Sequence, residues 1–354
     1  MGAVAGRTLI LRSDASPRIG TGHLMRVLAL GQGWSEAGGT VLVSPGDAPA
    51  ALCDRLSTEG FRVVPEALAT LLSNDRSAVA AVDLPETALA ELAACDDDSR
   101  SRTLLVDDLA QLPTYPCGLV LNQNAHADRA AYPPERPPNY LLGLEYVLLR
   151  REFRTWSRSV KPVRRIATRL LVTFGGADPA RMTLRAVQAL DALPPAIRGS
   201  LEVRVLVGAA NPDTAPIEAA IAGSSVAATL ERSVVRMAER MAWADLVLVS
   251  GGTTVWELAA MGCPALVVET APSEPFLVGG LRRVGLFDLL GPAESLDDAA
   301  IAVAIERRVT DVAWRRLMAR RGQSLVDGRG VDRVVAALAR LPSRAGDVGA
   351  GGRS

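Results

Sequence analysis

Histidine is scarce in this chain, paired cysteine is absent, and there is no net charge. Of 354 residues only His23 and His126 are histidines. The four cysteines, Cys53, Cys95, Cys117 and Cys263, show no C-x-x-C spacing. That combination argues against a structural zinc site, so no metal is expected. Lys+Arg and Asp+Glu both number 39, giving a formal net charge of zero. A neutral surface does not recruit polyanions, so neither a nucleic-acid polymer nor an anionic membrane is an expected partner. No uninterrupted apolar run reaches the roughly 18 residues of a spanning helix. Residues Met1–Thr8 lack the basic start and apolar stretch of a secretory signal. With scattered cysteines, this points to the reducing cytoplasm.

What is present is enough apolar residue for a large core. Hydrophobic residues make up 49% and charged residues 22%. At roughly 100–200 residues per domain, the length implies two domains. Short aliphatic runs alternate with Ala/Leu-rich stretches of helical character. The first half offers strands at Thr8–Arg12, Thr40–Val43, Ala78–Val82, Thr103–Val106 and Leu119–Leu121. The second offers Arg169–Thr173, Glu202–Val207, Leu246–Val249 and Ala265–Val268. Several are continuously apolar, as parallel strands covered on both faces are. Helices are expected at His23–Ala37, Arg181–Leu190, Ser233–Ala242 and Val255–Met261. The pattern predicts two doubly wound α/β units with mainly parallel sheets. The Pro-rich stretch from Tyr132 to Pro138 reads as a rigid loop, and the linker is placed near Val160–Val163. The expected division is 1–160 and 161–340, with a Gly/Ser/Arg-rich disordered tail at 341–354.

Two clusters carry chemistry. The first is RSDASPRIGTGHLMR, Arg12 to Arg26, between a strand and a helix. Gly20 and Gly22 permit a tight turn and a close backbone approach to a phosphate or sugar. A helix start presents unpaired N–H groups, which favour anions and disfavour an imidazolium. His23 stands at that junction as a candidate general base. A packing or capping histidine is the plainer alternative. Asp14 orients His23, binds a substrate hydroxyl, or caps the turn; Arg18 and Arg26 meet phosphate or carboxylate, or solvent.

The second cluster is a pair of Gly-Gly turns. LLVTFGGADP closes a strand at Gly175-Gly176, and VLVSGGTTVWELAAMG closes another at Gly251-Gly252. Glycines, turn N–H groups and the hydroxyls of Thr253 and Thr254 suit a diphosphate. Glu257, one helical turn on, suits the two hydroxyls of a ribose; a solvent-facing Glu is the alternative. Asp107-Asp108 follows a strand, and one of the two lines the site or caps a turn. Asp96–Asp98 reads as a solvated loop.

The stretch ERSVVRMAERMAWADLVLVSGGTTVWELAAMGCPALVVE, Glu231 to Glu269, resembles the donor-binding half of GT-B glycosyltransferases related to MurG. That resemblance implies two Rossmann-like domains facing a central cleft. It also implies a uracil-holding loop at Val234–Met237, a phosphate turn at Gly251, Gly252, Thr253 and Thr254, and a ribose contact at Glu257. Over roughly residues 7–290 the chain resembles the PseG/SpsG group of UDP-sugar hydrolases. LLVDDLA, LVLNQN, LLGLEYVLLRREF and LVTFGGADP follow the His23 motif in order. The resemblance makes His23 the catalytic base. Two departures stand out. Val82-Asp83-Leu84-Pro85 lacks the group's tyrosine, and Ala271–Phe276 lacks its sugar-contacting Asn-Gln pair. The nucleotide site is kept while the sugar pocket is rebuilt. The expected activity is transfer from a UDP-sugar donor to a small-molecule acceptor, with no cofactor. The cytosylglucuronate synthase type of nucleoside-antibiotic enzyme, with a cytosine acceptor, is one form; Arg181 or Arg282 would then meet the uronate. Hydrolysis of a UDP-linked amino sugar is the alternative.

Overall fold

The computed structural model describes residues 4–14, 22–46, 48–84, 87–133, 139–157, 159, 161–208, 211–232, 234–271 and 274–343. The chain forms two compact units. One comprises Met1–Arg151 together with Arg329–Ser354, the other Glu152–Gly328.

The first unit is built on a seven-stranded sheet. Its strands are β1 (Thr8–Ser13), β2 (Thr40–Ser44), β3 (Arg62–Val63), β4 (Val79–Asp83), β5 (Thr103–Val106), β6 (Leu119–Asn122) and β7 (Asn139–Leu142). They lie in the order β3-β2-β1-β4-β5-β6-β7. The second unit carries β8 (Arg169–Thr173), β9 (Glu202–Val207), β10 (Ala227–Arg232), β11 (Leu246–Ser250), β12 (Ala265–Glu269) and β13 (Asp288–Pro292). Their order is β10-β9-β8-β11-β12-β13. Every pairing in both sheets is parallel. The two orders are the same permutation, with one added strand at the edge of the first sheet. Helices cover both faces, so strands such as β4 (VAAVD) and β5 (TLLV) are buried at every position.

The expected interior strands all form, within a residue at each end. The expected helix at Ser233–Ala242 starts later, at Met237, because residues 234–236 are loop; Ser233 lies outside the described residues.

The division of the chain differs from the expected 1–160 and 161–340. The helix Gly330–Ala339 belongs to the first unit. Its apolar stripe of Val331, Val334, Val335 and Leu338 joins the core beside the helix Gly22–Glu36. The approach is close because Gly33 has no side chain: a Cβ there would lie 2.1 Å from Val331 Cγ1. Leu341 is also buried in that core, so the expected tail does not begin there; residues 344–354 lie outside the described residues. An apolar stripe shows that a helix is buried, not which sheet it covers. The second unit seals itself similarly, with Gly322 of the helix Val312–Leu325 set against Ala259.

Gly33→Leu forces a side chain into the seam with the last helix. It should cost about 1–3 kcal/mol of stability, the usual range for overpacking. Denaturant unfolding checks this; an unchanged midpoint would show that the last helix does not dock there.

Candidate functional site

Strand order determines where each unit can bind. In both sheets the connections reverse direction at one point, between β1 and β4 and between β8 and β11. Open α/β sheets bind ligands at the carboxyl ends of the strands flanking such a point, where the outgoing loops part. The strands end there at Ser13 and Asp83 in the first unit, and at Thr173 and Ser250 in the second. The sequence motifs follow directly.

In the first unit His23 lies in the opening turn of the helix Gly22–Glu36. Its Nδ1 is 2.8 Å from Asp83 Oδ1, at the end of β4. Asp83 is buried, and Arg26 grips it on both oxygens, Nε to Oδ2 at 2.8 Å and Nη2 to Oδ1 at 2.8 Å. His23 and Arg26 are three residues apart, so one helix face carries both. Arg26 Nη1 then reaches both oxygens of Asp108, each at 2.8 Å. Asp108 accepts from Asn124 Nδ2 at 2.6 Å, and its carbonyl accepts from Asn122 Nδ2 at 3.2 Å. His126 Nε2 lies 2.7 Å from the same carbonyl.

This network sets protonation. Burial alone would push the Asp83 carboxyl up, but Arg26 and then His23 outweigh it and hold it well below the usual carboxylate range. Arg26 is likewise held above its ordinary range despite burial, by Asp108 and Asp83. An ionised Asp83 only accepts, so His23 must donate from Nδ1. Arg26 Nη2, 3.1 Å from that nitrogen, is then a second donor to the same oxygen. In the neutral ring this leaves the lone pair on Nε2, the arrangement of an oriented general base.

The other expected residues of this unit fall as follows. Gly22 opens the helix, whereas Gly20 and Arg18 lie outside the described residues. Asp14 does not orient His23: its Oδ1 accepts from Arg12 Nη1 at 2.6 Å, and Arg12 Nε also holds Glu91 at 2.9 Å. Gly46, at φ +53°, makes room for that pair, since a Cβ there would lie 2.0 Å from Asp14 Oδ1. Asp107 shapes a turn, accepting from Leu109 N, Ala110 N and the Tyr115 hydroxyl.

In the second unit, Gly175 takes φ +79°, and both Gly175 and Gly176 face open space. Asp178 behind them caps Met182 N at 2.9 Å and Thr183 N at 2.8 Å. The Gly251–Thr254 turn differs in detail. Gly251 donates its N–H to Val268 O at 2.9 Å, and a Cβ there would strike Val278 Cγ2 at 2.7 Å. Gly251 is therefore packed into the sheet edge and is not a phosphate donor. The N–H groups of Thr253 and Thr254 open the helix Thr254–Ala260 and have no acceptor in its own ladder, and Gly252 N–H directly precedes them. Glu257 stands half-buried in that turn. Val234 and Met237 flank a loop on which Val235 is 64% exposed, an apolar surface on which a base can lie. Arg181 is committed to Asp213, with contacts of 2.8 and 3.0 Å, and so is not poised for a uronate; Arg282 is exposed.

Sequence reasoning assigned no role to Asp83 or Glu274 and left Arg26 between phosphate, carboxylate and solvent. Asp83 was legible as a carboxylate closing the apolar run AVAAVD; its register opposite Ser13 places it at the switch point. For Arg26 the carboxylate alternative is the one found, with Asp83 and Asp108 as its partners. Glu274, in the rebuilt Ala271–Phe276 segment, is buried and accepts from Thr270 Oγ1 at 3.2 Å and Ala271 N at 3.3 Å. Burial pushes its carboxyl up.

Residues 170–273 match the glycosyltransferase family 28 C-terminal domain. The spore coat polysaccharide biosynthesis protein SpsG of Bacillus subtilis (strain 168) is 26% identical over 199 residues. That match spans 56% of this chain and 58% of the relative's length. Among solved structures, MurG of Acinetobacter baumannii superposes with a TM-score of 0.62 at 13% identity, covering 94% of this chain and 99% of that one. The spinosyn rhamnosyltransferase SpnG, complexed with thymidine diphosphate, gives 0.55 at 17% identity, with coverage of 94% and 99%. These likenesses establish a GT-B fold with two Rossmann-like units. Among the described residues no helix is long and apolar enough to cross a membrane.

Two predictions follow from the buried network. Arg26→Met strands two carboxylates and should cost about 3–5 kcal/mol in denaturant unfolding, as removal of one partner of a buried pair does. Asp83 has its carboxyl depressed in the folded state, so its stabilisation is present above the unfolded value near pH ~4 and lost as pH falls below it. Asp83→Asn should flatten that acid limb in a pH series of unfolding midpoints; parallel profiles for the two proteins would contradict the assignment.

Proposed function

We propose that the chain is a UDP-sugar-dependent glycosyltransferase acting on a small acceptor. The observation that carries this reading is the His23–Asp83 pair, anchored by Arg26 at the first sheet's switch point. It is supported by the family 28 match across the second unit's Gly-Gly turns. His23 Nε2 removes the proton from the acceptor's attacking N–H or O–H. The attacking atom forms a bond to the anomeric carbon, the bond from that carbon to the diphosphate oxygen breaks, and the electron pair leaves with UDP. The proton ends on Nε2, and the resulting imidazolium is stabilised by ionised Asp83. The hydroxyls of Thr253 and Thr254 and the N–H groups from Gly252 to Thr254 receive the charge developing on the leaving diphosphate. Gly175 and Gly176 leave room for the phosphate and sugar. Glu257 accepts from the ribose hydroxyls, and the Val234–Met237 loop holds the base. Asp14 remains a candidate for a substrate hydroxyl. The narrower form, a UDP-glucuronate donor with a cytosine acceptor in nucleoside-antibiotic biosynthesis, needs a cation for the uronate other than Arg181.

A second reading is hydrolysis of a UDP-linked sugar, favoured by the sequence match to SpsG across 199 residues. The same Nε2 takes a proton from water as readily as from an acceptor. Absence of the Asn-Gln pair at Ala271–Phe276 favours transfer.

UDP release from a panel of UDP-sugars, with and without nucleobases and other small acceptors, separates the two. Release only with acceptor is expected; release without one would establish hydrolysis, and release under neither condition would sink both. His23→Ala should lower kcat by about 10²–10⁴-fold, the usual worth of a general base, while UDP affinity changes little. Glu257→Gln should weaken UDP binding by about 1.5–3 kcal/mol, the range for a charged hydrogen bond, as read by calorimetry. Unchanged affinity would remove Glu257 from the ribose site.

A further inference from the structure

The proposed reaction leaves unused one buried carboxylate beside the second Gly-Gly turn. Glu274 opens the helix Glu274–Arg283 and packs against the Gly251–Thr254 turn. A Cβ on Gly251 would lie 3.3 Å from Glu274 Oε2 and 3.4 Å from its Cβ. A Cβ on Gly252 would lie 3.8 Å from Glu274 Oε1, with only Ser250 Oγ as close as 4.0 Å. The bare glycine therefore leaves no side chain of its own between Oε1 and a ligand held on the turn's N–H groups.

The two carboxylate oxygens are not equivalent. Oε2 accepts from the N–H groups of Thr270 and Ala271 and, at 3.3 Å, from Thr270 Oγ1. Among the described residues Oε1 accepts only from that same hydroxyl, at 3.2 Å. Thr270 keeps its acceptor at Oε2 if Oε1 takes a proton, so Oε1 is the oxygen that protonation disturbs least. No cation stands against the carboxylate. β12 ends in Glu269, the helix Thr254–Ala260 carries Glu257, and β11 has no charged residue. Arg282 and Arg283 stand at the far end of Glu274's own ten-residue helix. Burial pushes the carboxyl up, and a diphosphate arriving at the turn pushes it the same way, because like charges oppose ionisation.

We propose that Glu274 takes up one proton on Oε1 when the diphosphate binds, and donates that O–H to a phosphate oxygen. The proton comes from solvent and stays on the carboxyl. A repulsion is thereby exchanged for a donor, added to those of Gly252, Thr253 and Thr254 where negative charge grows as the bond to the anomeric carbon breaks. This role rests on the reading of the turn as the diphosphate site.

Calorimetry of UDP binding at pH 8, in buffers of different ionisation enthalpy, counts the protons taken up. The His23→Ala protein is used, so that this imidazole contributes nothing. Uptake should exceed that of the His23→Ala/Glu274→Gln protein by about 0.5–1 proton per UDP, and affinity should weaken relative to that protein by about three- to tenfold per pH unit. The β-methyl ester of UDP, whose phosphates do not titrate in this range, should draw in the same proton and carries the test if Glu274→Gln does not fold. Equal uptake in the two proteins, or none with the ester, overturns the role of Glu274 and leaves the UDP site standing. A Gln variant that loses affinity equally at every pH marks Glu274 as a mere brace of the turn and also overturns it. UDP that binds neither protein overturns the diphosphate reading, and this role with it.

Discussion

The first unit's site depends on one guanidinium. Arg26 holds Asp83 with two contacts and Asp108 with two more, all at 2.8 Å. Without that cation burial favours a proton on Asp83 and only His23 is left to oppose it. A protonated Asp83 no longer requires a proton on His23 Nδ1, and the free lone pair is no longer assured at Nε2. Arg26 thus acts through Asp83 to decide which ring nitrogen carries the proton. It also ties β4, through Asp83, to the loop after β5 that carries Asp108, so the histidine's orientation is built into the sheet.

The two units repeat one topology and give it different chemistry. In each, loops leave the carboxyl ends of the strands at the reversal of strand order. The first unit fills its loops with an ionised network and one oriented histidine. The second fills its own with glycines, threonine hydroxyls and the carboxylates Asp178 and Glu257. Base chemistry and leaving-group chemistry ask for opposite surroundings, a fixed carboxylate behind the base and bare donors for a departing diphosphate. In the proposed reaction the two units supply these from the same strand order.

Much of the fold was legible in the residues, and the remainder was hidden for identifiable reasons. The interior strands are continuous or nearly continuous apolar runs because helices cover both their faces. The four strands the pattern did not reveal are the four sheet edges: RV, NYLL, AATLER and DLLGP. Half-exposed and mixed in polarity, they carry neither an apolar run nor clean alternation. The last helix was not among the expected elements, and its attachment to the first unit involves Gly33, a residue some 300 positions earlier that periodicity does not link to it. His23 and the Gly-Gly turns announced themselves by local composition. Asp83 did not, because its role arises only when parallel pairing sets it opposite Ser13. Asp14, closer to His23 in sequence, was drawn instead into the Arg12 pair.

The central claim concerns a single proton. With only two histidines in the chain, nitrogen-15 NMR of the imidazole rings resolves it directly. The account predicts the Nδ1–H tautomer for neutral His23, with an unprotonated Nε2. It predicts the opposite tautomer for His126, whose Nε2 faces the Asp108 carbonyl. A His23 signal of the Nε2–H form would contradict the account, since the ring would then offer its substrate-facing nitrogen as a donor and not as a base.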